Sequence, residues 1–281
     1  MNVQDSIPPA DALTTPGGLE VGTITVEVTH RCPRQCAFCY VPQRASANAH
    51  GPSEVPAVEL VEAVGALAKK TGCGHVQLSG GEPLVREDLI EIVEDLRQQK
   101  IRVSMITDGG PLDQPLARRL AARELSLIQP TLLAGEAGPH DELRGRGSFA
   151  EATRAIATAA AAGIKVMVSL VVTRHNWNEA ERVAELAFAL GARGLALSRF
   201  CPAGAAAGAY AELMPRAEQV RSACRAAAGH CRKRGLQLFS VITIPRCVWG
   251  DSERPPLRLG VCALMGARAP ITVGPDGEVR S

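Results

Sequence analysis

Three cysteines stand close together in the stretch HRCPRQCAFCYVP: Cys32, Cys36 and Cys39, spaced Cys-x3-Cys-x2-Cys. Six others, at positions 73, 201, 224, 231, 247 and 262, are scattered. Thiolates are soft ligands that suit zinc or iron–sulfur clusters. Each iron of a [4Fe-4S] cube takes one external ligand. Three cysteines would therefore hold three irons and leave the fourth open to a substrate or cofactor. The other reading is a zinc ion completed by His30 or a distant cysteine, although zinc sites usually pair Cys-x2-Cys with a second pair further along. A second chemical signal is SGGEPL at 79–84, where Gly80 and Gly81 let the backbone approach a ligand closely. No Walker-type or G-x-G-x-x-G phosphate loop is present.

Strand and helix patterns alternate around these motifs. TITVEVT (23–29) reads as a strand, and VPAVELVEAVGALAKKTG (55–72) as a helix stopped by Gly72. HVQLSG (75–80) is a strand and 86–100 an amphipathic helix; 101–107 is a strand and 112–125 helical. LSLIQPTLL (125–133) is a strand carrying Pro130, and 148–163 a helix with Ser148 expected as its cap. The apolar strand 165–173, helix 177–192, strand 194–200 and helix 214–235 follow. Six successive strand–helix units imply parallel strands covered by helices, an α/β fold best described as a partial (β/α)6 TIM-like barrel. In that architecture reactive groups lie on loops leaving the C-terminal ends of strands. The cysteine cluster follows the first strand, on that face.

The expected divisions are a flexible lead-in at 1–20, the barrel at 21–235 and a small C-terminal appendage at 236–281, where Pro-Asp-Gly marks a hairpin turn. The chain has 281 residues and 46% hydrophobic content, enough for one large core. Lys+Arg 31 against Asp+Glu 29 leaves no basic surplus for nucleic acid, and two Trp with two Tyr give no aromatic platform for single strands. No apolar run spans a bilayer, and the N-terminus lacks the pattern of a secretory signal. The expected location is the cytoplasm, where thiols stay reduced and a tight cysteine cluster points to metal or redox chemistry.

Cys-x3-Cys-x2-Cys after a first strand, with Phe38 before and Tyr40 after the third cysteine, resembles the signature of radical S-adenosylmethionine (radical SAM) enzymes. In that family the open iron of a [4Fe-4S] cluster chelates S-adenosylmethionine. Electron transfer then cleaves the cofactor to a 5′-deoxyadenosyl radical, which abstracts hydrogen from a substrate. The resemblance makes Cys32, Cys36 and Cys39 the cluster ligands. It makes Ser79, Gly80, Gly81, Glu82 and Pro83 the glycine-rich segment, whose carbonyls and Glu82 receive the methionyl ammonium. TDGG (107–110) is similar to a Thr-Asn-Gly segment, which brings in Thr107 and Asp108, with Asp108 departing from the usual Asn. IQPTLLAGEAGPHDELRG (128–145) resembles a fourth-strand segment and adds Thr131 and Arg144, while Leu133 stands where Asp is usual. Ser169 in the fifth strand and Arg199 in RFCPAG complete the cofactor candidates.

The tail resembles the start of the auxiliary-cluster region of the SPASM and twitch group, in which Cys247 and Cys262 would be ligands. In relatives another cysteine follows the Pro-Asp-Gly turn, just past the end of this sequence. A shortened chain, completion by another chain or ligand, and loss of the auxiliary cluster are the open alternatives. The resemblance implies oxidation, epimerisation or cross-linking of a natural product or peptide, with Cys201 or Cys247 as a hydrogen-atom donor. It also implies an electron donor such as flavodoxin or ferredoxin. The short lead-in favours a small molecule, or a peptide delivered by another protein. A zinc-binding or non-catalytic barrel is the remaining reading.

Overall fold

The computed structural model describes residues 21–41, 54–240, 242–249, 255, 258–259 and 271–280. The lead-in and Cys262 lie outside them. Strand β1 (Ile24–Thr29) is followed by α1 (Ala57–Thr71), β2 (His75–Gly80), α2 (Leu89–Gln98), β3 (Arg102–Thr107), α3 (Gln114–Ala122) and β4 (Leu127–Pro130). The second half carries α4 (Ala137–Arg144), α5 (Ser148–Ala161), β5 (Met167–Val172), α6 (Ala180–Ala189), β6 (Gly194–Arg199), α7 (Tyr210–Leu213) and α8 (Ala217–Arg234). The short strands β7 (Gln237–Ser240), β8 (Arg258–Leu259), β9 (Ile271–Val273) and β10 (Val279–Arg280) close the chain. Among the described residues no helix is long and apolar enough to cross a membrane.

The strands order as β10-β9-β1-β2-β3-β4 and β5-β6-β7-β8. All pairings are parallel except β9 with β10. Two isolated parallel bridges, Ile128↔Val166 and Thr131↔Ser169, join the halves. Pro130 explains the thin seam. The N–H groups of Ile128 and Leu132 donate to Lys165 O and Ser169 O, each at 2.9 Å. The residue between them that points the same way is Pro130, which has no N–H to give. Among the described residues β8 and β10 do not pair, so the α/β sheet is a partial rather than a closed barrel.

The core follows from the near-continuous apolar strands. Ile24, Val26, Val28, Val76, Leu78, Val103, Met105 and Ile128 are fully buried, each such side chain contributing roughly 1.5–3 kcal/mol. Gly72 (φ 68°) and Gly235 (φ 68°) end α1 and α8 in the left-handed conformation that an L side chain disfavours. Ser148 is not the cap expected for α5. It is the first helical residue, and Asp141 of α4 does the capping, accepting from Gly147 N (2.6 Å), Phe149 N (2.9 Å) and Ser148 Oγ (3.0 Å). The carboxylate comes from the preceding helix, seven residues back, beyond the reach of a local capping rule. The segment after 235 adds strands at both edges: β7 pairs with β6, and β9 pairs with β1. The Pro-Asp-Gly turn links β9 and β10, closed by Gly277 N to Gly274 O at 3.0 Å.

Candidate active site

The parallel strands bring their C-terminal ends to one rim. The loop His30–Val41 leaves β1 there, Ser79–Pro83 ends β2, Thr107–Asp108 ends β3, and Thr131 follows β4. The thiol loop is braced by its backbone. Gly81 N donates to Thr29 O (2.7 Å), Glu82 N to Arg31 O (2.8 Å), Ala37 N to Leu143 O (3.2 Å) and Ala206 N to Cys39 O (2.9 Å). Glycine is required at these crossings. A Cβ on Gly80 (φ +122°) would stand 2.3 Å from Thr29 O, and one on Gly81 2.1 Å from Arg31 O. Gly204 (φ +58°) lets the chain after β6 meet the carbonyl of Tyr40, where a Cβ would lie 1.9 Å away.

Cys32, Cys36 and Cys39 are half-buried on this one loop, and none of the three is in a disulfide. Among the described residues no three His, Cys, Asp or Glu side chains converge as ligands of a single metal ion. Three soft thiol donors on one braced loop fit an iron–sulfur cluster in their chemistry, one thiolate to each of three irons. His30 is 5% exposed, and its Nε2 lies 3.7 Å from Glu27 Oε2.

Glu82 is the hub of the β2–β3 corner. Its carboxylate accepts from Leu84 N (3.0 Å), Thr107 Oγ1 (2.5 Å) and Asp108 N (2.6 Å). Burial, reinforced by the nearby charge of Asp108, pushes its pKa up to about 7 against those three donors. Thr107 Oγ1 also accepts from Gly109 N at 2.9 Å. Asp108 accepts from Gly110 N (2.7 Å) and from Arg34 Nε (3.0 Å). Glu82, Thr107 and Asp108, expected separately from sequence, thus form one network whose carboxylates are engaged by the protein itself.

Of the remaining expected residues, Tyr40 is 54% exposed, but its hydroxyl bonds to Ser79, and burial of that end raises its pKa. Phe38 packs against the core, and Pro83 starts a buried 3₁₀ turn. Arg144 is buried and donates from Nη1 to Thr131 O at 2.8 Å. Ser169 lies opposite Thr131 across the seam. His140 accepts the Leu133 N–H at Nδ1 (3.1 Å), and burial and Arg144 push its pKa down to about 3, so it is neutral. Arg199 turns toward the tail, donating to Thr243 O (3.2 Å) and Phe200 O (3.1 Å). Cys201 is half-buried just after β6, and Cys247 is exposed in the 3₁₀ turn Arg246–Val248.

Two arginines at the rim went unremarked in the sequence. Arg86 is buried, with Nη1 on Val28 O (2.5 Å), Nη2 on Val55 O (2.7 Å) and a two-point pair with Asp88 (2.5 and 3.1 Å). Arg34 joins Asp108 to Glu151 of α5. The available signal for Arg86 was an arginine placed between a glycine-rich turn and a helix start, with Asp two residues on.

The family model described as the radical SAM superfamily matches residues 26–187. The chain belongs to the radical SAM superfamily. The cofactors of radical SAM proteins are a [4Fe-4S] cluster and S-adenosylmethionine, and the thiol loop and glycine-rich segment fall inside the matched stretch. Curated relatives include mycofactocin maturase MftC of Mycobacterium ulcerans, 34% identical over 197 residues, covering 70% of this chain and 52% of that protein. PqqA peptide cyclase of Rhizobium meliloti is 31% identical over 273 residues, covering 97% of this chain and 70% of that protein. The chain thus spans about half the length of the mycobacterial radical SAM relatives it matches. Among solved structures, Streptococcus suis SuiB bound to precursor peptide SuiA superposes with a TM-score of 0.71 at 12% identity, covering 92% of this chain and 59% of that one. At that identity the likeness shows the fold.

Proposed function

We propose that this chain is a peptide-modifying radical SAM enzyme in which Cys32, Cys36 and Cys39 hold the [4Fe-4S] cluster and Ser79–Pro83 cradles the methionyl end of S-adenosylmethionine. The observation that carries the reading is the backbone docking of the thiol loop on the Gly-Gly-Glu segment, Glu82 N to Arg31 O at 2.8 Å. When bound, the cofactors supply reductive C–S cleavage and a 5′-deoxyadenosyl radical that takes hydrogen from the substrate; the protein supplies position and a dry site.

The residues divide that work. Gly80 and Gly81 keep the floor of the cradle free of side chains, and Tyr40, tied to Ser79, closes it beside Phe38. Glu82 acts mainly by fixing the corner that carries Thr107 and Asp108, with one carboxylate lone pair left for the ammonium. Thr131, Arg144 and Ser169 form the wall across the seam, and Arg199 holds the tail segment near the opening. Cys201, half-buried at the rim, is better placed than the exposed Cys247 to return a hydrogen atom to a substrate radical. Cys247 is half of the pair that the sequence offers to an auxiliary iron–sulfur cluster with Cys262.

A peptide is favoured over a small molecule because the curated relatives are named as a mycofactocin maturase and a PqqA peptide cyclase. The electron donor in this reading is a flavodoxin or ferredoxin, and the setting is the reducing cytoplasm. The test is anaerobic turnover with reductant and deuterium-labelled precursor peptides. Label appearing in 5′-deoxyadenosine supports the reading; release of unlabelled 5′-deoxyadenosine with every peptide, against labelled release with a small molecule, removes the peptide assignment.

A further inference from the structure

Arg34 is the middle residue of the three between Cys32 and Cys36. Its guanidinium leaves the thiol loop and meets two other elements. Nε donates to Asp108 Oδ2 at 3.0 Å, beyond the end of β3, and Nη2 pairs with Glu151 Oε2 on the first turn of α5. The inner pair is largely sealed from water, with side chains 14% and 6% exposed; Glu151 lies outside it at 41%. Asp108 continues the chain of contacts through its own N–H to Glu82 Oε2 at 2.6 Å. Arg154, also on α5, clamps the same corner from Nη2 to Gly110 O (2.8 Å) and Nη1 to Leu112 O (3.2 Å). Gly110 leaves room for the ions: a Cβ there would stand 2.7 Å from Glu151 Oε2 and 3.2 Å from Asp108 Oδ1.

Backbone hydrogen bonds tie the loop to β2, α4 and the segment after β6. The Arg34 contact is different. It is a charge-assisted anchor placed inside the interval between two thiolates, and charged hydrogen bonds in a partly dry setting are stronger than neutral ones. It also sets one cationic and two carboxylate side chains on and beside the loop that carries the three thiols.

We propose that Asp108 is a positioning residue that acts through Arg34, latching the thiol loop and setting the local field at the cluster, rather than a ligand of the cofactor. The assignment rests on the reading that Cys32, Cys36 and Cys39 hold the cluster. Reduction adds negative charge to a cluster. Removing the Asp108 carboxylate therefore favours the reduced state, and removing the Arg34 cation disfavours it.

The experiment compares the anaerobically reconstituted protein with Asp108→Asn, Arg34→Gln, Arg34→Lys and the Asn/Gln double variant. Three quantities are read: iron loss to a chelator, the midpoint potential of the cluster, and amide exchange across 31–41 in cluster-free protein. Asp108→Asn and Arg34→Gln should each lose iron about tenfold faster, the scale of one charge-assisted bond. Arg34→Lys should fall between them and the unaltered chain, since it keeps charge without the planar fork. The double variant should be no worse than the weaker single, because the partners act as one unit. The potential should rise in Asp108→Asn and fall in Arg34→Gln, a pair of opposite signs that simple loosening of the loop would not produce. Equal iron loss in all variants, additive losses in the double, or shifts of one sign in both singles would overturn the latch. If the unaltered chain takes up no four-iron cluster, the functional reading fails instead. Exchange across 31–41 then still decides the latch: faster in Arg34→Gln upholds it, unchanged removes it.

Discussion

Gly81 and Arg31 touch backbone to backbone: a Cβ on Gly81 would stand 2.1 Å from the carbonyl oxygen of Arg31, the residue just before the first thiolate. The contact forces the loop after β1 and the turn after β2 to share one space. Gly81→Ala must push them apart, and overpacking of this kind costs about 1–3 kcal/mol. The expected outcome is loss of S-adenosylmethionine affinity together with poorer iron uptake, measured by equilibrium binding and iron per chain. Affinity and iron equal to the unaltered protein would separate the two motifs.

Glu82 gives the fold a pH dependence. Its carboxyl ordinarily titrates near 4.5 and is raised to about 7 in the fold by burial and Asp108. Below about pH 4.5 neither folded nor unfolded chain ionises it, and its penalty is absent. As pH rises from 4.5 to 7 the unfolded chain releases the proton first, so the fold loses stability, on the order of 3 kcal/mol in full above pH 7. Glu82→Gln cannot ionise. Its unfolding free energy relative to the unaltered protein should therefore climb between pH 5 and pH 7.5 in urea titrations. A difference that stays flat across that range would show the carboxyl to be ionised in the fold throughout.

Arg86 donates to the buried carbonyl of Val28 and the half-buried carbonyl of Val55, and pairs with Asp88. Replacing it with Met fills similar volume but leaves those groups without a donor. The expected loss is about 3 kcal/mol of unfolding free energy, with the cluster spectrum of the surviving folded protein unaltered. A loss below 0.5 kcal/mol, the scale of an ordinary surface change, would mean that water replaces the guanidinium.

Cys201 and Cys247 part company in burial. If a thiol returns hydrogen to the substrate radical, Cys201→Ala should abolish deuterium uptake into product from heavy water, and Cys247→Ala should leave it. The reverse pattern would place the donor in the tail.

The strand–helix alternation was legible because buried parallel strands such as MVSLVV and amphipathic helices differ sharply in period. Gly72 and Pro130 were legible too, as a stop and as a weak point, although it took the structure to show that Pro130 thins the seam between β4 and β5. The thiol spacing and the glycine pair could be read because each needs particular residue types at short range. What could not be read was anything made by side chains meeting across the rim. Asp141 reaches α5 from the preceding helix, Arg34 pairs with a carboxylate 74 positions away, and Glu82 spends most of its acceptors on Thr107, Asp108 and Leu84. The pairing of β9 with β1 is equally long-range, since a three-residue strand carries almost no pattern of its own.

Iron, acid-labile sulfide and zinc measured on the anaerobically reconstituted protein, with electron paramagnetic resonance of the reduced state, test the assignment most directly. Four irons and four sulfides per chain beyond any auxiliary cluster, a reduced-cluster signal that changes on adding S-adenosylmethionine, and loss of both in Cys32→Ala, Cys36→Ala or Cys39→Ala are the expected results. One tightly held zinc per chain that disappears in those same variants, with no cluster signal, would contradict it.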